Sequence, residues 1–202
     1  MKYLNKERLN LIIALSAIFI SIASFYATYL QAKAANKQVR VMTMPVVKFD
    51  QGNFDGSTQK ATIIFALHNA GAGPAILKNL EFTYQNKTYP DLDTFLDGCC
   101  AKEKKKLYEA ISELKKEGDS ILANQSGLNT VILEQAIIPA QASIKFLTLQ
   151  RTVASDPLWE KLDMLRNHIE VEACFCSPLG DCYESKGVQI SSEVKHCPHN
   201  KK

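Results

Sequence analysis

Hydrophobic residues form one uninterrupted stretch near the N-terminus, at residues 9–30. The stretch holds no charged side chain, and its polar positions are limited to Asn10 and a few Ser, Thr and Tyr. As a helix that rises about 1.5 Å per residue, residues 11–30 span roughly 30 Å, the thickness of a bilayer's hydrocarbon core. The pattern predicts a transmembrane helix over residues 9–30, with the lipid bilayer as its partner.

The segments on either side of this helix are polar. Residues 1–8 form a short basic head, and residues 31–39 contain neither Gly nor Pro, which favours a helical stalk. A cleaved signal peptide is the alternative, with Ala-Lys-Ala at residues 32–34 as its cleavage site. The apolar stretch is longer than the roughly 7 to 15 residues of a signal-peptide core, so we expect a retained anchor.

From residue 40 onwards the hydrophobic positions recur with period two, which predicts β-strands. The predicted strands cover residues 40–49, 60–69, 79–84, 130–133, 143–150, 169–176 and 182–190. Helical patterns at residues 101–117 and 156–168 interrupt them, and a Gly-rich turn joins the second strand to the third as a hairpin. In one strand the apolar side switches between Phe146 and Leu147, which predicts either a bulge or burial of both faces.

These elements show no βαβ alternation, and together they predict a mainly β fold. We expect an antiparallel β-sandwich with two helical insertions at residues 40–192, preceded by one N-terminal transmembrane helix and followed by a polar tail at residues 193–202. The roughly 160 residues beyond the anchor are enough for one domain with its own core.

The turn after the second strand reads Asn-Ala-Gly-Ala-Gly-Pro-Ala, at residues 69–75. A dinucleotide-binding loop needs a third glycine and a helix that starts there, whereas Pro74 leads into a strand. We therefore interpret Asn69, Gly71, Gly73 and Pro74 as a structural turn, in which the glycines permit backbone conformations closed to other residues.

All six cysteines lie beyond the stalk, and an even count in a membrane-tethered domain indicates disulfides. Cys176 and Cys182 bracket a turn at residues 177–181 and face each other across the hairpin, so we predict that they pair. The other four permit several pairings, and Cys197 is able to reach Cys99, Cys100 or Cys174.

Disulfides also indicate the side of the membrane on which the domain lies. Three basic residues on each side of the helix leave the positive-inside rule tied. Because disulfides persist in oxidising compartments, we expect the N-terminus in the cytoplasm and the domain outside the bacterial inner (cytoplasmic) membrane.

The cysteines near the C-terminus also allow a second hypothesis, which is metal binding or thiol redox chemistry. Thiolates and imidazoles are ligands for zinc or copper. The candidate ligands are Cys174, Cys176, Cys182, His196 and His199. The spacing is not a standard Cys-x2-Cys pair, and thiols outside the cytoplasm oxidise, so we expect disulfides and no cofactor. The adjacent Cys99 and Cys100 lack the two-residue separation of catalytic thiol pairs.

Several function classes are disfavoured by the sequence. The net charge of +3 is spread over the chain without a basic block, which argues against nucleic acid as a partner. There is no P-loop, no His-Glu-x-x-His and no Gly-x-Ser-x-Gly, and we expect no enzymatic activity. Small residues four positions apart, Ala17 with Ser21 and Ala23 with Ala27, are compatible with a homo-oligomer.

The anchor, the turn at residues 69–75 and the Cys-x5-Cys hairpin at residues 176–182 together resemble a loose family of bacterial single-pass membrane proteins. Those proteins carry a polar stalk and an extracytoplasmic β-sandwich-like domain. The resemblance implies the architecture and brings no activity or catalytic residue with it, and the Cys99–Cys100 pair and the histidine tail depart from its pattern. We therefore expect a non-catalytic binding or scaffold module with an envelope protein as partner.

Overall fold

In the computed structural model the chain divides into two compact units, Met1–Met42 and Thr43–Lys202. The structure describes residues 6–116, 127–133, 135–187, 189 and 191–198, and of residues 114–116 it describes the backbone alone. Of the described residues, 41% are helical and 34% lie in strands. Helix exceeds strand because one N-terminal helix alone contributes 37 residues.

This N-terminal helix, α1, occupies Lys6–Met42 and contains both the predicted span and the predicted stalk. Within the described part of the chain it is the one helix long and apolar enough to cross a membrane, and its most apolar 18 residues have a mean hydropathy of 2.1. The prediction that a strand starts at residue 40 is wrong, because residues 40–42 are helical. The helix continues past residue 40 because no Pro occurs before Pro45. Pro45 itself disfavours helical geometry at Met44, the residue before it.

Within the residues that the structure describes, the second unit contains two further helices and ten strands. The helices are α2 at Leu92–Lys116 and α3 at Asp156–Leu165, and a 3-10 turn at Arg166–His168 follows α3. The strands are β1 Val47–Asp55, β2 Lys60–Asn69, β3 Ala75–Tyr84, β4 Lys87–Tyr89, β5 Leu128–Thr130, β6 Ile137–Ile138, β7 Ala142–Gln150, β8 Glu170–Cys176, β9 Cys182–Lys186 and β10 Ser192–Val194.

The strands form two antiparallel sheets. The first has the order β1-β2-β7-β5, and the second has the order β10-β9-β8-β3-β4, with β6 also paired to β3. The predicted hairpin between the second and third long strands is wrong, because β2 pairs with β1 and β7 whereas β3 pairs with β8. The Gly-rich turn between β2 and β3 therefore carries the chain from one sheet to the other.

One hydrophobic core is shared by the two sheets and α2. The ring of Phe146, on β7 of the first sheet, lies 5.9 Å from that of Phe82, on β3 of the second. Phe82 in turn stacks on Phe95 of α2, with ring centroids 5.4 Å apart. All three side chains are buried, and aromatic contacts at these distances add to the free energy gained by burial.

The predicted irregularity at Phe146 is a β-bulge. Phe65 pairs with Leu147 and Ala66 pairs with Lys145, so Phe146 has no partner residue on β2. The extra residue shifts the alternation by one position, so that the consecutive Phe146 and Leu147 are both buried.

Helix α2 starts nine residues before the predicted boundary at residue 101. Asp91 caps its N-terminus, because its Oδ1 accepts the backbone N–H of Thr94 at 2.8 Å. The helix is kinked at Cys100, which has φ −143° and ψ 22°. The predicted start at residue 101 therefore lies directly after this kink.

The C-terminal strands differ from the predicted single strand at residues 182–190. β9 ends at Lys186, and a separate strand, β10, pairs with it from Ser192 to Val194. The predicted polar tail therefore begins inside a strand. Residues 188 and 190 lie outside the described residues.

Candidate functional site

The hairpin of β8 and β9 brings Cys176 and Cys182 together. The two residues are directly paired in the ladder, with Cα atoms 4.0 Å apart, and their sulfur atoms form a disulfide. The connecting turn is closed by the backbone N–H of Ser177, which donates to the carbonyl of Asp181 at 2.7 Å. The turn and the ladder register together place the two cysteines opposite each other.

A second disulfide joins Cys174 to Cys197, whose Cα atoms lie 5.6 Å apart. Cys174 precedes Cys176 by two residues on the same strand, so the two side chains leave the same face of the sheet. The strand β10 pairs with β9 and brings the following segment, which contains Cys197, back towards the hairpin. This bond thus fixes the described part of the predicted tail to the sheet.

The two disulfides lie in contact. The sulfur of Cys176 is 3.9 Å from that of Cys197, to which it is not bonded, and the sulfurs of Cys176, Cys182 and Cys197 all lie within 4.8 Å of one another. Cys174 and Cys176 are buried, whereas Cys182 and Cys197 are half-buried. We call Cys174, Cys176, Cys182 and Cys197 the sulfur cluster.

The candidate histidine ligands are not part of this group. Among the described residues, the set close enough to share a metal ion consists of three cysteines, and His196 is not in it. His199 lies outside the described residues. All six cysteines are paired, so the cluster holds disulfide sulfurs rather than the thiolates that a metal ion binds. Reduction would have to precede any metal binding here.

Two ion pairs close the hairpin at the end opposite the turn. Lys186 of β9 pairs with Glu172, and at 3.6 Å with Glu170, both on β8. The hydrogen bond to Glu172, with the charge of both carboxylates, raises the pKa of Lys186. The two strands that carry three of the four cysteines are thus held together at both ends.

The remaining two cysteines form a vicinal disulfide, Cys99–Cys100, at the kink of α2. Cys100 is buried, and the preceding Gly98 lies against the ring of Tyr89 on β4, where a methyl group would overlap the ring. These contacts pack the kinked part of the helix on the sheet. Cys99–Cys100 belongs to the core rather than to the sulfur cluster.

Lys104 of α2 joins the two halves of the kinked helix. Its Nζ contacts a carboxylate oxygen of Asp93 and one of Asp97, each at 2.7 Å, and both aspartates precede the kink. Burial of the ammonium lowers its pKa, but the hydrogen bonds to both carboxylates outweigh this effect, and the pKa of Lys104 is raised. Sequence patterns do not reveal this site, because the three residues share one helix face only if the helix starts near residue 92.

The predicted structural turn is organised around the side chain of Asn69, which is fully buried. Its Oδ1 accepts the backbone N–H groups of Val46 at 3.1 Å and Gly71 at 3.0 Å. Its Nδ2 donates to the carbonyl of Gly73 at 2.8 Å and to those of residues 138 and 139 at 3.2 and 3.1 Å. One amide side chain thus satisfies backbone groups from three separate segments.

The expectation that these glycines adopt backbone conformations closed to other residues is wrong, because neither Gly71 nor Gly73 has a positive φ. The two glycines are required for another reason, which is that the turn has no room for a side chain. A Cβ on Gly71 would lie 2.5 Å from the carbonyl oxygen of Met44, and one on Gly73 would overlap the backbone of Thr43. Pro74 follows directly and leads into β3. The turn is therefore a packing junction that fixes the segment before β1.

Comparisons with protein-family models, with curated proteins and with solved structures found no match to this chain.

Proposed function

We propose that the chain is a single-pass protein of the bacterial cytoplasmic membrane, with a non-catalytic binding or scaffold module on the outer side. In this proposal α1 is retained as the anchor and the head before it lies in the cytoplasm. The two antiparallel sheets form a β-sandwich with helical insertions, as in the bacterial family that the sequence resembles. The partner is another envelope protein.

The pairing of all six cysteines is the observation that carries the proposal. Each cysteine lies in the Thr43–Lys202 unit, and none is free. Disulfides form and persist in oxidising compartments and are rare in the cytoplasm. The pairing therefore supports an extracytoplasmic module, and an apolar helix of 37 residues before it supports a membrane anchor.

A group of exposed hydrophobic residues supports a protein partner. Val131, Ile132 and Ile137 are 53%, 89% and 62% exposed. They flank a turn in which the backbone N–H of Ala136 donates to the carbonyl of Leu133 at 3.0 Å. We call these three residues the apolar patch. Three exposed β-branched residues within seven positions of the chain are typical of a segment that another protein covers.

The test is co-purification from detergent-solubilised membranes of the native host, with Ile132→Asp compared with Val153→Asp. Val153 is 98% exposed and lies outside the patch, which makes it a matched control. We expect the partner to be recovered with the wild type and with Val153→Asp, and its recovery to fall by about tenfold or more with Ile132→Asp. Equal recovery with both variants, or recovery of no partner with the wild type, contradicts the proposal.

A second candidate function is metal binding or thiol redox chemistry, and the contact between two disulfides in the sulfur cluster favours it. Reduction of both bonds would release four thiols within a small volume, which suits zinc. Elemental analysis and thiol titration of protein purified without reductant distinguish metal binding from thiol redox chemistry. Stoichiometric metal with free thiols supports metal binding, whereas fully paired cysteines without stoichiometric metal contradict it and leave redox chemistry as the mode to test.

A further inference from the structure

The sulfur cluster contains a contact that thiol–disulfide exchange requires. In this reaction a thiolate attacks one sulfur of a disulfide and displaces the other. Cys176 is bonded to Cys182, yet its sulfur also lies 3.9 Å from that of Cys197, which is bonded to Cys174. If Cys176 becomes a thiolate, the Cys174–Cys197 disulfide already lies in contact with its sulfur.

The four cysteines differ in access to solvent. Cys182 is half-buried and follows directly on the exposed turn of the hairpin, with its sulfur 3.6 Å from the carbonyl oxygen of Gly180. Cys197 is half-buried as well, whereas Cys174 and Cys176 are only 4% and 8% exposed. A thiol from solution therefore reaches the Cys176–Cys182 bond most readily at Cys182, and the displaced sulfur is then that of Cys176.

We propose that the sulfur cluster is a covalent docking site for an external thiol, with Cys182 as the attachment point and Cys176 as the sulfur that changes partner. The external thiolate bonds to Cys182, and the electron pair of the broken Cys176–Cys182 bond remains on Cys176. The Cys176 thiolate then bonds to Cys197 and breaks the Cys174–Cys197 bond. The electron pair passes to Cys174, which takes a proton from water.

This sequence consumes no oxidant and no reductant. The protein starts with two disulfides in the cluster and ends with one internal disulfide, Cys176–Cys197, and one mixed disulfide at Cys182. One external thiol becomes bound to the protein, and one thiol of the protein, that of Cys174, becomes free. Because Cys176 is then bonded to Cys197, it no longer expels the thiol attached to Cys182, and the adduct persists. This inference deepens the thiol redox candidate and rests on it.

Reduced glutathione is the probe, added to the full-length protein purified in detergent without reductant. The reaction is stopped with acid, free thiols are alkylated, and the protein is digested with pepsin, which cuts after Phe175 and so separates Cys174 from Cys176. We expect glutathione on Cys182, a new Cys176–Cys197 linkage and an alkylated Cys174. Glutathione on Cys182 with alkylated Cys176 and an intact Cys174–Cys197 bond overturns the transfer step.

The variants test whether the transfer retains the adduct. In a Cys174→Ala, Cys197→Ala protein, Cys176 stays free to expel glutathione, so the half-life of the adduct falls by about tenfold or more. A Cys99→Ala, Cys100→Ala protein loses the disulfide outside the cluster and keeps the wild-type half-life. An unchanged half-life in the first variant overturns the proposal.

The outcomes separate this inference from the functions on which it builds. No adduct at any cysteine ends the thiol redox candidate together with the inference, whereas an adduct without transfer ends only the inference. Recovery of a partner through Ile132 is measured separately and does not depend on either result.

Discussion

The side-chain oxygen of Asn69 accepts the backbone N–H of Val46 at 3.1 Å, which joins the end of β2 to the segment just before β1. Among the described residues, the same buried side chain makes five hydrogen-bond contacts, each with a backbone group, and the two hydrogens of its Nδ2 are shared among three carbonyls. An unpaired buried backbone group costs about 1 to 3 kcal/mol, so the loss of one amide affects several groups at once.

Replacement of Asn69 by alanine is therefore expected to lower the free energy of unfolding by about 3 kcal/mol. The measurement is denaturant unfolding of the full chain in detergent micelles without reductant. Asn129→Ala, which removes an exposed amide from β5, serves as the control and should stay within about 0.5 kcal/mol of the wild type. Equal stability of the two variants would show that the Asn69 hydrogen bonds contribute little.

Gly73→Ala is expected to destabilise the same turn for a steric reason. The added methyl group overlaps the backbone of Thr43, which cannot move aside as a flexible side chain does. We expect a loss of about 2 to 3 kcal/mol in the free energy of unfolding. Gly56→Ala is the matched control, because no atom lies within 4 Å of its Cβ position. A Gly73→Ala protein as stable as Gly56→Ala would contradict this packing.

Lys104→Met keeps an unbranched apolar side chain and removes the ion pairs that cross the kink of α2. Because the two aspartates are mostly exposed, we expect a loss of only about 1 kcal/mol at neutral pH. Lys105→Met, which removes an exposed pair with Glu109 at 3.8 Å, is the control and should have almost no effect.

The pH dependence of the Lys104 effect has a definite sign. The pKa of Lys104 in the folded chain is raised above its ordinary value of 10.5. Its contribution to stability is therefore complete below that value and is lost as the pH rises through the folded-state pKa. Unfolding free energies of the wild type and Lys104→Met should differ at neutral pH and converge in strongly alkaline solution. A difference that grows with rising pH would contradict the assignment.

The two disulfides of the sulfur cluster should contribute unequally to stability. Cys174–Cys197 closes a loop with a sequence separation of 23, and Cys176–Cys182 one with a separation of 6. Loop-closure entropy then predicts a loss of roughly 3.5 kcal/mol for Cys174→Ala, Cys197→Ala and about 1 kcal/mol less for Cys176→Ala, Cys182→Ala. Denaturant unfolding without reductant compares them, and a larger loss for the shorter loop would contradict this order.

Local patterns predicted those features that depend on neighbouring residues. The turn between Cys176 and Cys182 indicates their pairing, and the switch of the apolar side at Phe146 indicates either a bulge or burial of both faces. The sequence allows Cys197 several partners, and Cys174 is one of them. The choice of Cys174 depends on the pairing of strand β10 with β9, and hydrophobic periodicity does not show which strands pair.

The error at the β2–β3 connection has the same origin. A Gly-rich turn between two strands fits a hairpin and a crossing between sheets equally well. The crossing between sheets is stabilised by Asn69, whose Nδ2 donates to the carbonyls of residues 138 and 139, about seventy positions away in the chain. Contacts at such separation leave no local pattern in the sequence.

Thiol labelling of intact cells with a membrane-impermeant alkylating reagent, with and without prior reduction, tests whether the module lies outside the cytoplasmic membrane with its cysteines paired. The mass added to this protein reports how many cysteines react. We expect labelling only after reduction, because an extracytoplasmic module with all cysteines paired offers no free thiol. Labelling that needs cell lysis and no reduction would contradict it, since the module would then be cytoplasmic with free thiols.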